Sequence, residues 1–456
     1  MTMTTRRLLF SGAFLALAAH GLAAQQPVPP TASQPALPAA MPPGQGLPRV
    51  TLREALRLAA QNQPAMVQAR QDIRVAGWGA RQALGAFLPT LSSSVSGSQA
   101  GSERYNATTG QRVINPFPYS ESYGLSSRLN LFTGFQRGAN RRSAAATQDL
   151  REATLQRQDY AIALSTKQAF FTALATAELV TVAETQLRRS DEQLRLASEK
   201  LRLGATTRSD SLRARVDYGN SQLTLIQARA NLQYALANLG RVVGANGQVA
   251  PIPDSTLEAR LTGLDTAALR REALANAPSV RESDASLAAA RAALGASRAQ
   301  WMPTVLATWS QNWSRSTSAI RDTIPWLGAW NVGISLSYPI FNGFQRETSI
   351  ATADANVISA EARQRDARRA LDASLTQSLA ALDAAGAKID IARASLDAAE
   401  EDLRMQRERY RLGTSTIVEL LTSQASLNQA QAALVQARYD YLVARAQVEA
   451  LVGHAL

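Results

Sequence analysis

The run from Phe344 to about Arg411 limits what this chain can become more than any other stretch. It contains no proline and a single glycine, Gly386, so nothing in it obliges a helix to stop. Leu375, Leu382, Ile389, Leu396, Leu403 and Tyr410 recur at every seventh position, and Ala385, Ala392 and Ala399 follow three of them in step. A seven-residue apolar repeat under-winds a helix and supercoils it left-handedly on a partner, and alanine in the second seam lets that partner approach closely. Such a helix reaches roughly 100 Å at about 1.5 Å per residue, longer than a compact domain is wide. The stretch reads as a strut.

A search for internal repeats explains what the strut belongs to. Leu131-Phe132-Thr133-Gly134-Phe135-Gln136-Arg137 returns as Ile340-Phe341-Asn342-Gly343-Phe344-Gln345-Arg346, and Leu201-Arg202-Leu203-Gly204 returns as Tyr410-Arg411-Leu412-Gly413, both at an offset of 209. Upstream, Asn62-Gln63-Pro64 matches Asn276-Ala277-Pro278, and Leu88-Pro89-Thr90 matches Met302-Pro303-Thr304, at an offset of 214. The extra residues of the first copy fall between Pro89 and Gly134, which reads as a longer loop.

The chain is thus expected to be two copies of one unit, over 50–244 and 264–453, joined by a linker at 245–263. Each unit opens with a short and a medium helix, broken before Pro64 and Pro278 because the residue before proline is pushed out of the helical region. Two strands follow (about 89–101 and 122–132; about 303–314 and 330–341). A long helix comes next (about 137–203; 344–411), then a Leu-Gly turn and a returning helix (about 209–243; 416–452). The seam recurs in the first unit at Val180, Leu187, Leu194 and Leu201, and the returning helices answer it with Leu225, Leu232 and Leu239, and with Leu427 and Leu434. The expected fold class is α+β, each unit a long antiparallel coiled-coil hairpin with a two-strand insertion.

Residues 1–24 read as a secretory signal: Arg6 and Arg7, an apolar core from Leu8 to Leu22, then small residues. Residues 25–49 are rich in proline and read as a flexible lead-in. The chain has no cysteine, which excludes disulfides, thiolate metal sites and lipid attachment at a new N-terminal cysteine. Its two histidines leave no room for a multi-histidine metal site or a Ser-His-Asp triad, and no cofactor or enzymatic activity is expected. The net charge of +12 is spread along helical faces among Asp and Glu, without the basic blocks and interleaved aromatics of a nucleic-acid surface.

The strands carry the second diagnosis. Trp330, Val332, Ile334, Leu336, Tyr338 and Ile340 alternate with small and polar residues, as do Tyr123, Leu125, Leu129 and Leu131. Apolar-out, polar-in strands of about 9–11 residues suit a transmembrane barrel around water. Trp309, Trp313, Trp326 and Trp330, with Phe117 and Tyr119, are expected near the outer strand ends, where interfacial aromatics collect. Four strands cannot close in lipid, so several copies must pool them, either eight strands from a dimer or twelve from a trimer.

These features together resemble the TolC-like outer-membrane efflux proteins. The resemblance rests on the tandem units, the Phe-x-Gly-Phe that leads into each long helix, and the Leu-Gly turns. Its most specific piece is Tyr410-Arg411-Leu412-Gly413-Thr414-Ser415-Thr416-Ile417-Val418-Glu419-Leu420-Leu421. It implies a homotrimer in the bacterial outer membrane, with a 12-stranded β-barrel continued into the periplasm by a 12-helix α-barrel. The turns Leu203-Gly204-Ala205 and Leu412-Gly413-Thr414 would then dock a periplasmic adaptor and, through it, an inner-membrane transporter. By position, Asp210 and Tyr410 match the carboxylate–tyrosine pair that holds such a gate closed. Ser415 departs from the arginine found there in the family's best-known member. Glu419 matches the first of two constriction aspartates, and Thr422 stands at the second. A ring of Glu419 carboxylates would favour cations.

Read from the residues alone, Asp210 also suits a helix cap, Tyr410 a packing role, and both turn glycines simple helix ends. The alternative to a conduit is a periplasmic structural coiled coil, which leaves the alternating strands unexplained.

Overall fold

The computed structural model describes residues 46–99, 101–115, 119–253, 265–317 and 325–454. The expected signal segment, most of the lead-in, part of the linker and Phe117 lie outside them.

A two-residue strand β1 (Arg49–Val50) leads into α1 (Leu52–Asn62) and α2 (Pro64–Gly85). Strands β2 (Thr90–Gln99), β3 (Ser102–Asn106), β4 (Gln111–Asn115) and β5 (Tyr119–Thr133) follow, then α3 (Gln136–Arg202) and α4 (Arg208–Val243). The second half runs β6 (Ala250–Pro251), α5 (Thr266–Asn276), α6 (Pro278–Arg298), β7 (Thr304–Thr317), β8 (Leu327–Ser337), α7 (Gln345–Arg411) and α8 (Ile417–Val452). Pro64 and Pro278 each stand at the first turn of their helix, where a missing N–H costs nothing.

The helices pack as two hairpins laid side by side: α3 with α4, α7 with α8, and α3 against α8. Leu375, Leu382, Ile389, Leu403 and Tyr410 are buried along α7, with Ala385 and Ala392 beside them; Leu396 and Ala399 are partly covered. Leu225, Leu232 and Leu239 on α4 join Phe170, Val180 and Ala183 of α3 in the largest apolar cluster. Midway along the hairpins the short elements gather. β1 pairs in parallel with β6, and the Asn62 and Gln63 amides donate to the Val243 and Val242 carbonyls, capping the end of α4. The Tyr160 hydroxyl does the same for α8 by donating to the Gly453 carbonyl. Lys167 of α3 is paired with Glu449 of α8, which also accepts from Arg445.

The main sheet has the order β2-β5-β7-β8, all antiparallel. Its register puts Leu91, Val95, Tyr123, Leu125, Leu129, Val305, Trp309, Trp313, Trp330, Val332, Ile334 and Leu336 on one face. The opposite face carries serines, Thr308, Asn312 and Asn331. A one-residue bulge between Asn130 and Phe132 shifts the register near the helical end.

Two expectations need correcting. The long first loop holds the hairpin β3–β4, invisible in the pattern because Ser102–Asn106 and Gln111–Asn115 present no run of alternating apolar residues. β8 stops at Ser337, short of Tyr338 and Ile340, because Pro339 has no N–H to continue a ladder.

Candidate functional site

At the far ends of the hairpins each long helix stops in the same way. The Gly204 N–H donates to the Leu201 carbonyl and the Ala205 N–H to that of Lys200; Gly413 and Thr414 repeat this to Tyr410 and Arg409. This is the Schellman arrangement, which needs a left-handed residue, and Gly204 (φ 73°) and Gly413 (φ 79°) supply it. Neither glycine has a neighbour that a Cβ would strike, so conformation alone demands it. The turn throws Leu203 and Leu412 outward, 73% and 70% exposed. Two large apolar side chains thus stand exposed at the turns, uncovered among the described residues.

The returning helices begin with caps. Thr207 accepts from the Asp210 N–H, and the Asp210 carboxylate takes hydrogen bonds from the Thr207 N–H and hydroxyl and from the Thr206 hydroxyl. The Thr207 and then the Thr206 hydroxyl hold the Asp210 carboxyl below the usual aspartate range. Thr416 and Glu419 form the parallel pair on α8: the Glu419 N–H donates to the Thr416 hydroxyl, which donates to the Glu419 carboxylate. The signature Thr-x-x-Asp/Glu was present in the sequence.

Tyr410 is buried in the cluster formed by Ala197, Ala214, Leu403, Ile417 and Leu420. Burial pushes its phenol pKa up, the Asp210 charge adds to that, and Thr206 opposes. The hydroxyl meets hydrogen-bond geometry with no group among the described residues. Tyr410 and Asp210 are therefore brought near one another without a bond between them. The buried Ser415 hydroxyl also has no partner among the described residues. Thr422 is exposed and donates back to the Val418 carbonyl, and Glu419 is exposed beside it in sequence. The side chain that sequence reasoning missed is Lys200, which reaches from α3 to the Tyr410 carbonyl at 2.7 Å. One signal pointed to it: it is one of three lysines in a chain whose other basic residues are arginine.

At the opposite ends, each strand turns into its long helix through two consecutive left-handed residues, Gly134-Phe135 and Gly343-Phe344. Phe135 packs edge-on against Phe132, and Phe344 against Phe341. Two residues on, Arg137 lies over the Phe87 ring and donates to the Leu131 carbonyl. Arg346, only 5% exposed, lies over Trp301 and donates to the Pro339 and Ile340 carbonyls. Each elbow is thus locked by an arginine that was not singled out from the sequence.

The apolar face of the sheet has no cover among the described residues: Val332, Ile334 and Leu336 are all exposed. Trp313 stacks on Tyr123, and Trp326 lies under Arg315, which pairs with Glu121 near the outer end. Trp330 stands opposite Gln311. Trp309 is deeper than expected, opposite Val332, because β7 runs on to Thr317. No helix is long and apolar enough to cross a membrane, and no group of three or more His, Cys, Asp or Glu could hold a metal ion, among the described residues.

Comparison with known proteins identifies this arrangement. The sequence model of a family described as outer membrane efflux protein matches residues 55–245 and 269–454. The chain is 27% identical to protein CyaE of Bordetella pertussis, over 84% of this chain and 80% of that one. It is 26% identical to outer membrane efflux protein BepC of Brucella suis, over 88% and 85%. The fold superposes on the CmeC outer membrane channel of Campylobacter jejuni with a TM-score of 0.74 at 18% identity, covering 88% of this chain and 85% of that one. The chain belongs to the outer membrane efflux protein family, whose members are non-enzymatic conduits of the outer membrane.

Proposed function

We propose that this protein is the outer-membrane exit duct of a tripartite efflux or type I secretion system, assembled as a homotrimer. The observation that carries the reading is the sheet. Its two edges, β2 and β8, are unpaired among the described residues, and one face is largely apolar, with Val332, Ile334 and Leu336 exposed on it. It is set on hairpins roughly 100 Å long. Lipid tolerates neither open edges nor a half-built barrel, so copies must pool strands; the family resemblance favours twelve strands from three chains over eight from two. The helices then carry the duct through the periplasm, and the signal segment of residues 1–24 directs export.

The hairpin tips are the periplasmic aperture. Tyr410, Asp210, Ser415, Glu419 and Thr422 face one another there across copies, and the unpartnered Tyr410 and Ser415 hydroxyls are available for bonds between hairpins. The exposed Leu203 and Leu412 turns are the docking points for a periplasmic adaptor, which links the duct to an inner-membrane transporter. Nothing is consumed at the site; energy comes from those partners.

The test is single-channel conductance of the purified protein in planar bilayers, wild type against Asp210→Ala/Tyr410→Phe. A small wild-type conductance that rises severalfold in the double variant supports duct and gate together. Equal conductance in both keeps the duct and reduces Asp210 and Tyr410 to cap and packing residues. No channel activity from folded oligomers returns the chain to a structural coiled coil.

A further inference from the structure

The main sheet has two unlike faces, and the one opposite the apolar residues is almost without charge. Its cross-strand rows are mostly serine, threonine, asparagine and glycine. Many of their hydroxyls are spent on one another or on the backbone. Ser92 bonds Ser126 at 2.8 Å, Ser96 bonds Ser122 at 2.7 Å, and Thr308 donates to the Gly333 carbonyl. Such a face is wetted by water and offers a passing ion little to prefer.

One residue breaks the pattern. Arg128 of β5 is the only charged side chain on that face among the described residues of the sheet, in a row that reads Thr90, Arg128, Thr308, Gly333. It lies near the helical end, one row from Asn130. It is exposed, and among the described residues its guanidinium has neither an ion pair nor a hydrogen bond. The sheet's other charges, Glu121 and Arg315, lie on the apolar face and pair with each other. The offset of 209 puts Ser337 at the equivalent place in the second half, so each copy of the chain supplies a single charge there rather than two.

We infer that Arg128 makes the β-section favour anionic solutes, those that carry carboxylate, phosphate or sulfate groups. The inference rests on the duct reading, in which the polar face lines a water-filled lumen, and adds a charge preference to it. A guanidinium presents a planar fork of N–H donors that suits such oxyanions, and no carboxylate of the described residues on this face competes for it. The sign is opposite to that of the exposed Glu419 at the hairpin tip. The two charges stand roughly 100 Å apart along the helices, whereas the Debye length at 0.1 M salt is about 10 Å. Neither neutralises the other, so they act as separate filters in series.

The test is the zero-current potential of the reconstituted protein across a KCl gradient, run in Glu419→Gln so that the tip adds no carboxylate. That channel should prefer the anion. Adding Arg128→Ser should abolish the preference and Arg128→Glu should invert it. Arg128→Lys should keep it, because the charge sets the sign. The preference should be strongest at about 0.01 M salt, where the Debye length is about 30 Å, and fade by about 1 M, where it is about 3 Å. The mass of each assembly in detergent is measured alongside. Open channels whose ion preference is the same with arginine, serine or glutamate at position 128 overturn the inference and leave the duct reading standing. A Glu419→Gln channel that prefers the cation does the same. Folded oligomers with no channel activity overturn both.

Discussion

The Lys200 ammonium lies 4.0 Å from the centroid of the Tyr410 ring and donates a 2.7 Å hydrogen bond to the carbonyl of the same residue. That carbonyl also accepts the Gly413 N–H, so a single oxygen ends one hairpin and ties it to the other. Lys200→Met keeps the aliphatic stem and removes both interactions. A charged hydrogen bond and a cation–π contact at a half-covered site are together worth about 1–2 kcal/mol. Amide exchange over residues 409–414 should quicken about tenfold, while residues 382–392 keep their protection. Unchanged exchange at the tip would mean that the turn stands without Lys200.

The Asp210 cap has a pH signature. Its carboxyl is held low in the fold by the Thr207 and Thr206 hydroxyls, so the stabilisation is fully present above the unfolded aspartate value of about 3.9. It is lost as pH falls through the lower folded value. Protection factors at residues 205–212 should hold from neutral pH to about 4 and decline below it. Thr207→Ala should lower them by about 1 kcal/mol at neutral pH and shrink the acid-dependent part.

Arg346 should be the costlier elbow arginine to lose. Arg346→Met leaves the Pro339 and Ile340 carbonyls without the guanidinium and strips the ring of Trp301 of its cation. A loss of about 2–4 kcal/mol is expected from breaking a buried charged network, read as a lower urea midpoint. Arg346→Lys should not restore it, because one ammonium cannot reproduce the planar fork.

Glycines separate into two kinds. Gly134→Ala combines a left-handed backbone (φ 61°) with overlap on Met302, and the folded yield should collapse. Gly204→Ala meets nothing and bears only the backbone cost, about 1–2 kcal/mol. Comparing refolding yields of the two variants checks the distinction.

What could be read in advance followed from periodicity. Leu375, Leu382, Ile389 and Leu403 announce a buried seam because burial along a helix recurs with the turn, and Trp330, Val332, Ile334 and Leu336 announce a one-sided sheet because side chains alternate. The Thr207–Asp210 cap was legible as a local spacing. Other features depend on contacts distant in sequence: Lys200 on Tyr410, Arg346 on Trp301, and the Asn62 and Gln63 amides on the end of α4. No local pattern encodes a partner that far away, and a lone arginine on a helix looks like any solvated one. The hairpin β3–β4 escaped for the opposite reason: Ser102–Asn106 and Gln111–Asn115 carry no alternation to detect.

The elbows at Gly134-Phe135 and Gly343-Phe344 have a mechanical consequence. A helix roughly 100 Å long is a lever arm, and one degree of rotation at its root displaces its tip by about 2 Å. A displacement of a few ångströms at a tip therefore corresponds to about one to two degrees at the far end. Paired phenylalanines, a guanidinium over a ring and two consecutive left-handed residues fix the angle at each root. Whatever small change of angle occurs at either root is read out, amplified, at the hairpin tips.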